Sequence, residues 1–205
     1  MPLYTLGLNL SKQIGSQFAS VVKPGSEMDL VLEGFTDGMR GEISRLDSDE
    51  ILTKYGPLLN ELLQERAGNV VEFQKEEGVK FVDGFLAANP EATKTESGLV
   101  YLEMKAGEGK SPAITDTVEV HYHGQLTDDD GTVFDSSVDR GQTIKFPLGN
   151  VIKGWQEGLQ LMKEGGKALL VIPSESAYGD VGSGETIPPG ATLKFEVELF
   201  KVEST

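Results

Sequence analysis

Near the start of the chain, Leu3, Leu6, Leu10, Ile14, Phe18 and Val21 recur at spacings of three and four, which predicts a helix with one apolar stripe. Lys23-Pro24-Gly25 ends it, because proline cannot supply the N–H a continuing helix needs. Ser26 predicts the cap of a second helix, with Met28, Val31, Leu32, Phe35 and Met39 as its buried face and Asp29 as an acid in its first turn. Two short amphipathic helices bury little by themselves, so they imply a partner, and the expected partner is a second copy of the chain.

Residues 48–89 return to a helical pattern, with Gly56-Pro57 predicting a kink or an interruption. Leu58, Leu59, Leu62 and Leu63 are apolar; residues 64–77 are largely polar apart from Val70, Val71 and Phe73; then Phe81, Val82, Phe85 and Leu86 restore an apolar end. At about 1.5 Å per residue, residues 58–88 would span roughly 45 Å. Apolar ends with a charged middle suit a helix that crosses solvent between two bodies.

Asn89-Pro90 stops the helix, and residues 91–97 read as a polar linker. Beyond it the period switches to two, predicting strands at 99–104, 117–124, 132–136, 143–146, 167–172 and 191–202, with a short helix at 155–162. The expected fold class is α+β: an N-terminal helical dimerisation domain (1–47), a long connecting helix (48–89), a linker (90–97), and a C-terminal antiparallel sheet wrapped around a short helix (98–205).

Composition removes several classes of function. The chain has 205 residues and no cysteine, which excludes disulfides, thiol catalysis and thiolate metal sites. A net charge of -15 argues against nucleic acid and anionic membrane surfaces, which select basic partners. No apolar run approaches the ~20 residues that span a bilayer. The N-terminus lacks the basic region of a secretory signal, so a cytoplasmic location is expected.

The candidate chemistry lies in the C-terminal half. Tyr122, Phe134, Trp155, Tyr178 and Phe195 provide aromatic walls and two hydroxyls, and Asp135 with Arg140 supplies one ion pair. Phe195 also alternates with Leu193, Val197 and Leu199 as a core strand would. Such a pocket suits a neutral, compact, apolar guest, and a carboxylate among these rings needs a partner. No nucleophile or phosphate loop accompanies it, and no cofactor is implied: Gly107-Glu108-Gly109-Lys110 and Gly165-Gly166-Lys167 lack phosphate-loop spacing. His121 and His123 share a strand face without a third ligand, and Asp128-Asp129-Asp130-Gly131 reads as a hairpin turn rather than a calcium loop.

The blocks Val120-His121-Tyr122-His123-Gly124, Phe134-Asp135-Ser136-Ser137, Val151-Ile152-Lys153-Gly154-Trp155, Ala177-Tyr178-Gly179 and Ile187-Pro188-Pro189 stand in one order. With them, residues 98–203 resemble the FKBP-type peptidyl-prolyl cis-trans isomerases. The resemblance implies catalysis by Asp135, Tyr178, Phe134 and Trp155. It also implies substrate contacts from Tyr122, Arg140, Ile144, Val151, Ile152, Ile187 and Phe195, with Trp155 as the floor under a proline ring. Tyr178 and the Ile152 N–H would donate to substrate carbonyls, and Tyr122 and Arg140 would hold Asp135. Ile144, Asn150 and Ser183 depart from the usual pattern at the pocket rim.

Tyr4-Thr5-Leu6-Gly7, Gly34-Phe35-Thr36-Asp37-Gly38-Met39 and Thr95-Glu96-Ser97-Gly98-Leu99 extend the resemblance to the dimeric group related to macrophage infectivity potentiator proteins. The implied function is isomerisation of prolyl bonds in folding proteins, with chaperone-like client binding by an N-terminal homodimer. The alternative is a proline-binding scaffold or holding chaperone with little catalysis. Implied partners are prolyl peptides, unfolded clients and rapamycin-type macrolides.

Overall fold

The computed structural model describes residues 22, 25–40, 48–184 and 186–204, and the chain divides into two compact units at Val70/Val71. The first predicted helix and Met39's side chain lie outside the described residues.

In the first unit, helix α1 (Ser26–Arg40) begins at the residue expected to cap it, and the Asp29 N–H donates to the Gly25 carbonyl at 2.9 Å. The expected buried face is open: Val31, Leu32 and Phe35 are exposed. Arg66 clasps Glu27 of α1 with two hydrogen bonds of 2.7 and 3.0 Å. Helix α2 (Ser48–Ala88) is continuous across Gly56-Pro57 rather than interrupted there. One proline strains one turn, and the ladder on either side propagates cooperatively past it. No helix of the described residues is long and apolar enough to cross a membrane.

The second unit is built on an antiparallel sheet. Its strands are β1 (Thr93–Lys94), β2 (Val100–Lys105), β3 (Thr117–Leu126), β4 (Val133–Ser136), β5 (Ile144–Pro147), β6 (Lys167–Ile172) and β7 (Leu193–Glu203). The order is β1-β2-β6-β7-β3-β4, with β5 also paired to β3. On the edge away from β7, β3 serves two partners, β5 along its first half (Val120↔Ile144) and β4 along its second (Gly124↔Asp135). β1 lies within the stretch expected to be linker, where Thr93 and Lys94 pair with Tyr101 and Val100. The turn at Thr95–Gly98 brings them back: the Thr95 N–H bonds the Leu99 carbonyl at 2.9 Å.

Helix α3 (Lys153–Leu161) lies on the inner face of the sheet, burying Trp155 and Leu159. Its backbone sits directly on β6, because a Cβ at Gly154 would come within 2.3 Å of Ile172 Cγ2 and one at Gly158 within 2.8 Å of Leu170. Alternation along β3 and β7 sends Val118, Val120, Tyr122, Leu193, Phe195, Val197 and Leu199 into this core. On the opposite face the last turns of α2 cover the sheet: Val82, Val100 and Val171 are buried together, with Phe81, Phe85 and Leu86 around them. The end of α2 is therefore part of this unit's packing.

Candidate active site

The inner end of the sheet opens into a pocket of about 350 Å³ between α3, β5 and the segment after β6. Trp155 lies at its base, 5% exposed. Its ring meets those of Tyr122 and Phe195 edge-on at 5.2 Å and Phe146 at 5.5 Å, and Phe134 meets Phe195 edge-on at 5.4 Å. These edge-to-face contacts lock each ring against its neighbours. Gly124 makes the arrangement possible. A Cβ there would stand 2.7 Å from Phe195 and 2.8 Å from Phe134, so both rings occupy space a larger residue would take.

Among the described residues, Asp135 is the only charged one that lines the pocket. The Tyr122 hydroxyl donates to its Oδ2, Arg140 Nη1 donates to its Oδ1, and Arg140 Nη2 donates to the Tyr122 hydroxyl at 2.9 Å. The guanidinium also lies 5.7 Å from the centre of the Tyr122 ring. Burial pushes the Asp135 carboxyl up, but the bonds from Tyr122 and Arg140 and the guanidinium charge outweigh it and hold it below the ordinary carboxylate value. The Tyr122 phenol moves the other way, raised by burial and by the carboxylate it serves. At neutral pH the triangle is a fixed carboxylate, a neutral phenol and a cation.

A strand pair sets this geometry. Tyr122 and Asp135 stand on adjacent strands, Asp135 opposite Gly124 and so two positions along from Tyr122, and the turn after β4 returns Arg140 to them. The base of that turn is tied by Ser137, whose hydroxyl accepts the Tyr122 N–H at 2.8 Å. His121 and His123 place their Nδ1 atoms 2.9 and 3.0 Å from Ser137 and Ser136. Asp128 closes the β3–β4 hairpin by accepting the Thr132 N–H at 2.7 Å.

Donors left for a guest include the Trp155 Nε1–H, buried without a partner among the described residues, and two more. Tyr178 lines the pocket, 39% exposed, and its hydroxyl has no hydrogen-bond partner among the described residues. The Ile152 N–H precedes the first helical residue of α3 and is one of the amides that no helix carbonyl reaches. None of the described lining residues is Ser, Thr, Lys or His. The arrangement can bind, desolvate and orient a neutral group, and it offers nothing for covalent attack.

Of the residues singled out from sequence, Tyr122, Phe134, Asp135, Ile144, Val151, Ile152, Trp155, Tyr178 and Phe195 line the pocket. Phe195 both lines it and belongs to the core. Arg140 stands behind the lining, reaching it through Asp135 and Tyr122. Ile187, expected among the substrate contacts, is 7% exposed and packs in the core, as Trp155 and Phe195 also do, but it is not among the described residues that line the pocket. An antiparallel bridge between Ser183 and Ile187 closes its loop. Phe146 was missed as a lining residue; it lies two positions from Ile144 on β5, so strand alternation puts both on one face. Asn150, singled out only as a rim departure, lines the pocket from the 3₁₀ turn Leu148–Asn150.

Comparison with known proteins agrees over the whole chain. Residues 108–200 match the family model of the FKBP-type peptidyl-prolyl cis-trans isomerase, and residues 3–102 match the domain amino terminal to it. The chain is 42% identical to the FKBP-type peptidyl-prolyl cis-trans isomerase FkpA of Aeromonas hydrophila, over 98% of this chain and 75% of the relative. It is 40% identical to the FKBP-type 22 kDa peptidyl-prolyl cis-trans isomerase of Escherichia coli K12, over 97% and 93%. It is 48% identical to the macrophage infectivity potentiator of Trypanosoma cruzi, over 68% and 69%. The crystal structure of FkpA from Escherichia coli is similar with a TM-score of 0.73 at 33% identity, covering 99% of this chain and 95% of that one.

Proposed function

The chain belongs to the FKBP-type peptidyl-prolyl cis-trans isomerase family, and we propose that the aromatic pocket is where it rotates the amide bond preceding proline. The observation that carries this reading is a buried aromatic floor beside a carboxylate held ionised, with no Ser, Thr, Lys or His among the described lining residues. Rotation about an X–Pro bond needs no bond made or broken. Its barrier, roughly 20 kcal/mol, is the loss of amide resonance.

In the twisted transition state the nitrogen lone pair withdraws from the carbonyl, which becomes less polar and better matched to apolar walls. The proline ring sits over Trp155, between Tyr122, Phe134, Val151 and Phe195, and Ile144, Phe146 and Asn150 meet the neighbouring residues. The Tyr178 hydroxyl and the Ile152 N–H hold the flanking carbonyls, so the bond twists while its ends stay fixed. Asp135, braced by Tyr122 and Arg140, lies beside the rotating carbonyl. Catalysis is tighter binding of the twisted amide than of either planar form.

The apolar faces of the first unit support a second role. Leu30, Leu32 and Phe35 on α1 and Leu58, Leu59 and Leu62 on α2 are exposed, more apolar surface than two helices leave open without a partner. These faces join two copies into a homodimer and add chaperone-like contacts to an unfolded client. Two pockets on one dimer raise the effective affinity for a long chain without new chemistry.

A protease-coupled assay on prolyl tetrapeptides, with and without rapamycin, tests the pocket. Turnover abolished by the macrolide is the expected result; turnover at the uncatalysed rate would leave a proline-binding scaffold. Sedimentation of the full chain at micromolar concentration tests the assembly, and a monomer would refute it.

A further inference from the structure

We propose that Lys75 of α2 is a positioning residue for the isomerase pocket, acting through the turn that carries Tyr178. The inference rests on the reading of Tyr178 as a substrate donor. Among the described residues none on the pocket side bonds the Tyr178 hydroxyl, so its placement depends on the backbone behind it. That backbone is a closed turn: the Ser174 carbonyl accepts the Ala177 N–H at 3.0 Å and the Gly179 N–H at 2.8 Å, and the Gly179 carbonyl accepts the Gly190 N–H at 2.9 Å.

Helix α2 grips this turn from outside the pocket. Lys75 Nζ lies 2.6 Å from Asp180 Oδ1 and 3.4 Å from Glu175 Oε1, so one cation bridges the residues that bracket Tyr178. The same face of α2 fixes the far end of the segment. Gly190 lies against Val71, where a Cβ would come within 2.8 Å of its carbonyl, and a Cβ on Gly78 would come within 2.2 Å of Thr192 Oγ1. Val71, Lys75, Gly78 and Val82 form one helical stripe at spacings of three and four, and Val82 anchors it in the buried cluster with Val100 and Val171. The helix is seated on the sheet by packing, and Lys75 transmits that seating to the turn.

The bonds are partly exposed, so solvent and salt weaken them. Their effect is to limit the orientations Tyr178 samples before substrate arrives, which lowers the ordering cost of binding. In the full-length protein, Lys75→Ala should lower kcat/KM on a prolyl tetrapeptide roughly threefold to tenfold with both pairs lost. Lys75→Arg should restore most of it. The deciding readout is the double variant: in a Tyr178→Phe background, Lys75→Ala should cause no further loss, because the group it positions is gone. The ratio of wild type to Lys75→Ala should also approach one near 1 M salt, where the screening length is about 3 Å.

Equal losses in both backgrounds would make Lys75 merely structural and overturn the proposal, as would wild-type turnover by Lys75→Ala while Tyr178→Phe is impaired. Unimpaired Tyr178→Phe would instead remove the donor role on which the proposal rests. If Lys75→Ala lowers the melting temperature, Asp180→Asn with Glu175→Gln provides the same test from the other side of the bridge.

Discussion

Replacing Tyr122 by Phe keeps the ring that packs on Trp155 and Phe195 and deletes only the hydroxyl, so it separates the wall from the brace. The hydroxyl makes two contacts, donating to Asp135 and accepting from Arg140 at 2.9 Å. A hydrogen bond to a charged group contributes about 1.5–3 kcal/mol when buried. The Asp135 and Arg140 side chains are 43% and 50% exposed, and water replaces part of what is lost. A destabilisation of about 1 kcal/mol is therefore expected, read as a small shift in the urea midpoint at unchanged slope. Asp135 retains Arg140 but gains freedom to rotate, and if the whole of that ~1 kcal/mol appears in the transition state, kcat/KM falls roughly fivefold. The protease-coupled assay should therefore show a threefold to tenfold loss. Turnover within twofold of wild type, with stability lowered as predicted, would refute a catalytic function for the brace. A loss beyond about a hundredfold would exceed what one hydroxyl can supply and would mean that the wall itself had collapsed.

Peptide turnover should be flat between about pH 6 and 8, because Asp135 is held below the ordinary carboxylate range and the Tyr122 phenol above the ordinary phenol value, so neither titrates there; a bell-shaped profile would point to proton transfer instead. Stability should fall in acid. Asp135 is depressed and Glu203, between Lys145 and Lys201, is lowered to about 2; both contribute fully above their unfolded values near 4 and lose that contribution as pH falls through the folded ones, which melting scans from pH 5 to 2 would follow. Gly154→Ala should destabilise the protein by about 1–3 kcal/mol, since its Cβ would stand 2.3 Å from buried Ile172; urea unfolding measures this, and wild-type stability would mean α3 can lift off β6 freely. Val82→Ala should cost about 1–2 kcal/mol in the transition that also unfolds the sheet, because Val82 is buried against Val100 and Val171. Two separate transitions would mean that the end of α2 and the sheet do not unfold together.

The sequence by itself determined the order of elements and most of the pocket. Strand alternation along β3 and β7 separates inward Tyr122 and Phe195 from outward His121, His123 and Glu196 without knowledge of the partner strand, because a period of two follows from backbone geometry alone. The aromatic walls and Asp135 were readable for the same reason, being few, clustered and set among turn residues. Even Phe146 carried a local signal in its spacing from Ile144.

What only the tertiary structure decided involves residues distant in sequence or loops that close on themselves. Ile187 is buried in the core within a loop closed by its bridge to Ser183, and nothing in its neighbours encodes that bridge. Thr93 and Lys94 become a strand only because β2 presents an edge; two polar residues have no strand preference that survives without it. At the end of α2 the sequence shows an apolar face of Phe81, Val82, Phe85 and Leu86, but only the fold shows that Val82 is buried against Val100 and Val171 and that Lys75 reaches Asp180. Helical periodicity identifies which residues share a face. It cannot say what lies opposite that face, because the partner surface is assembled from β2, β6 and the turn beyond, segments that approach one another only once the sheet has formed.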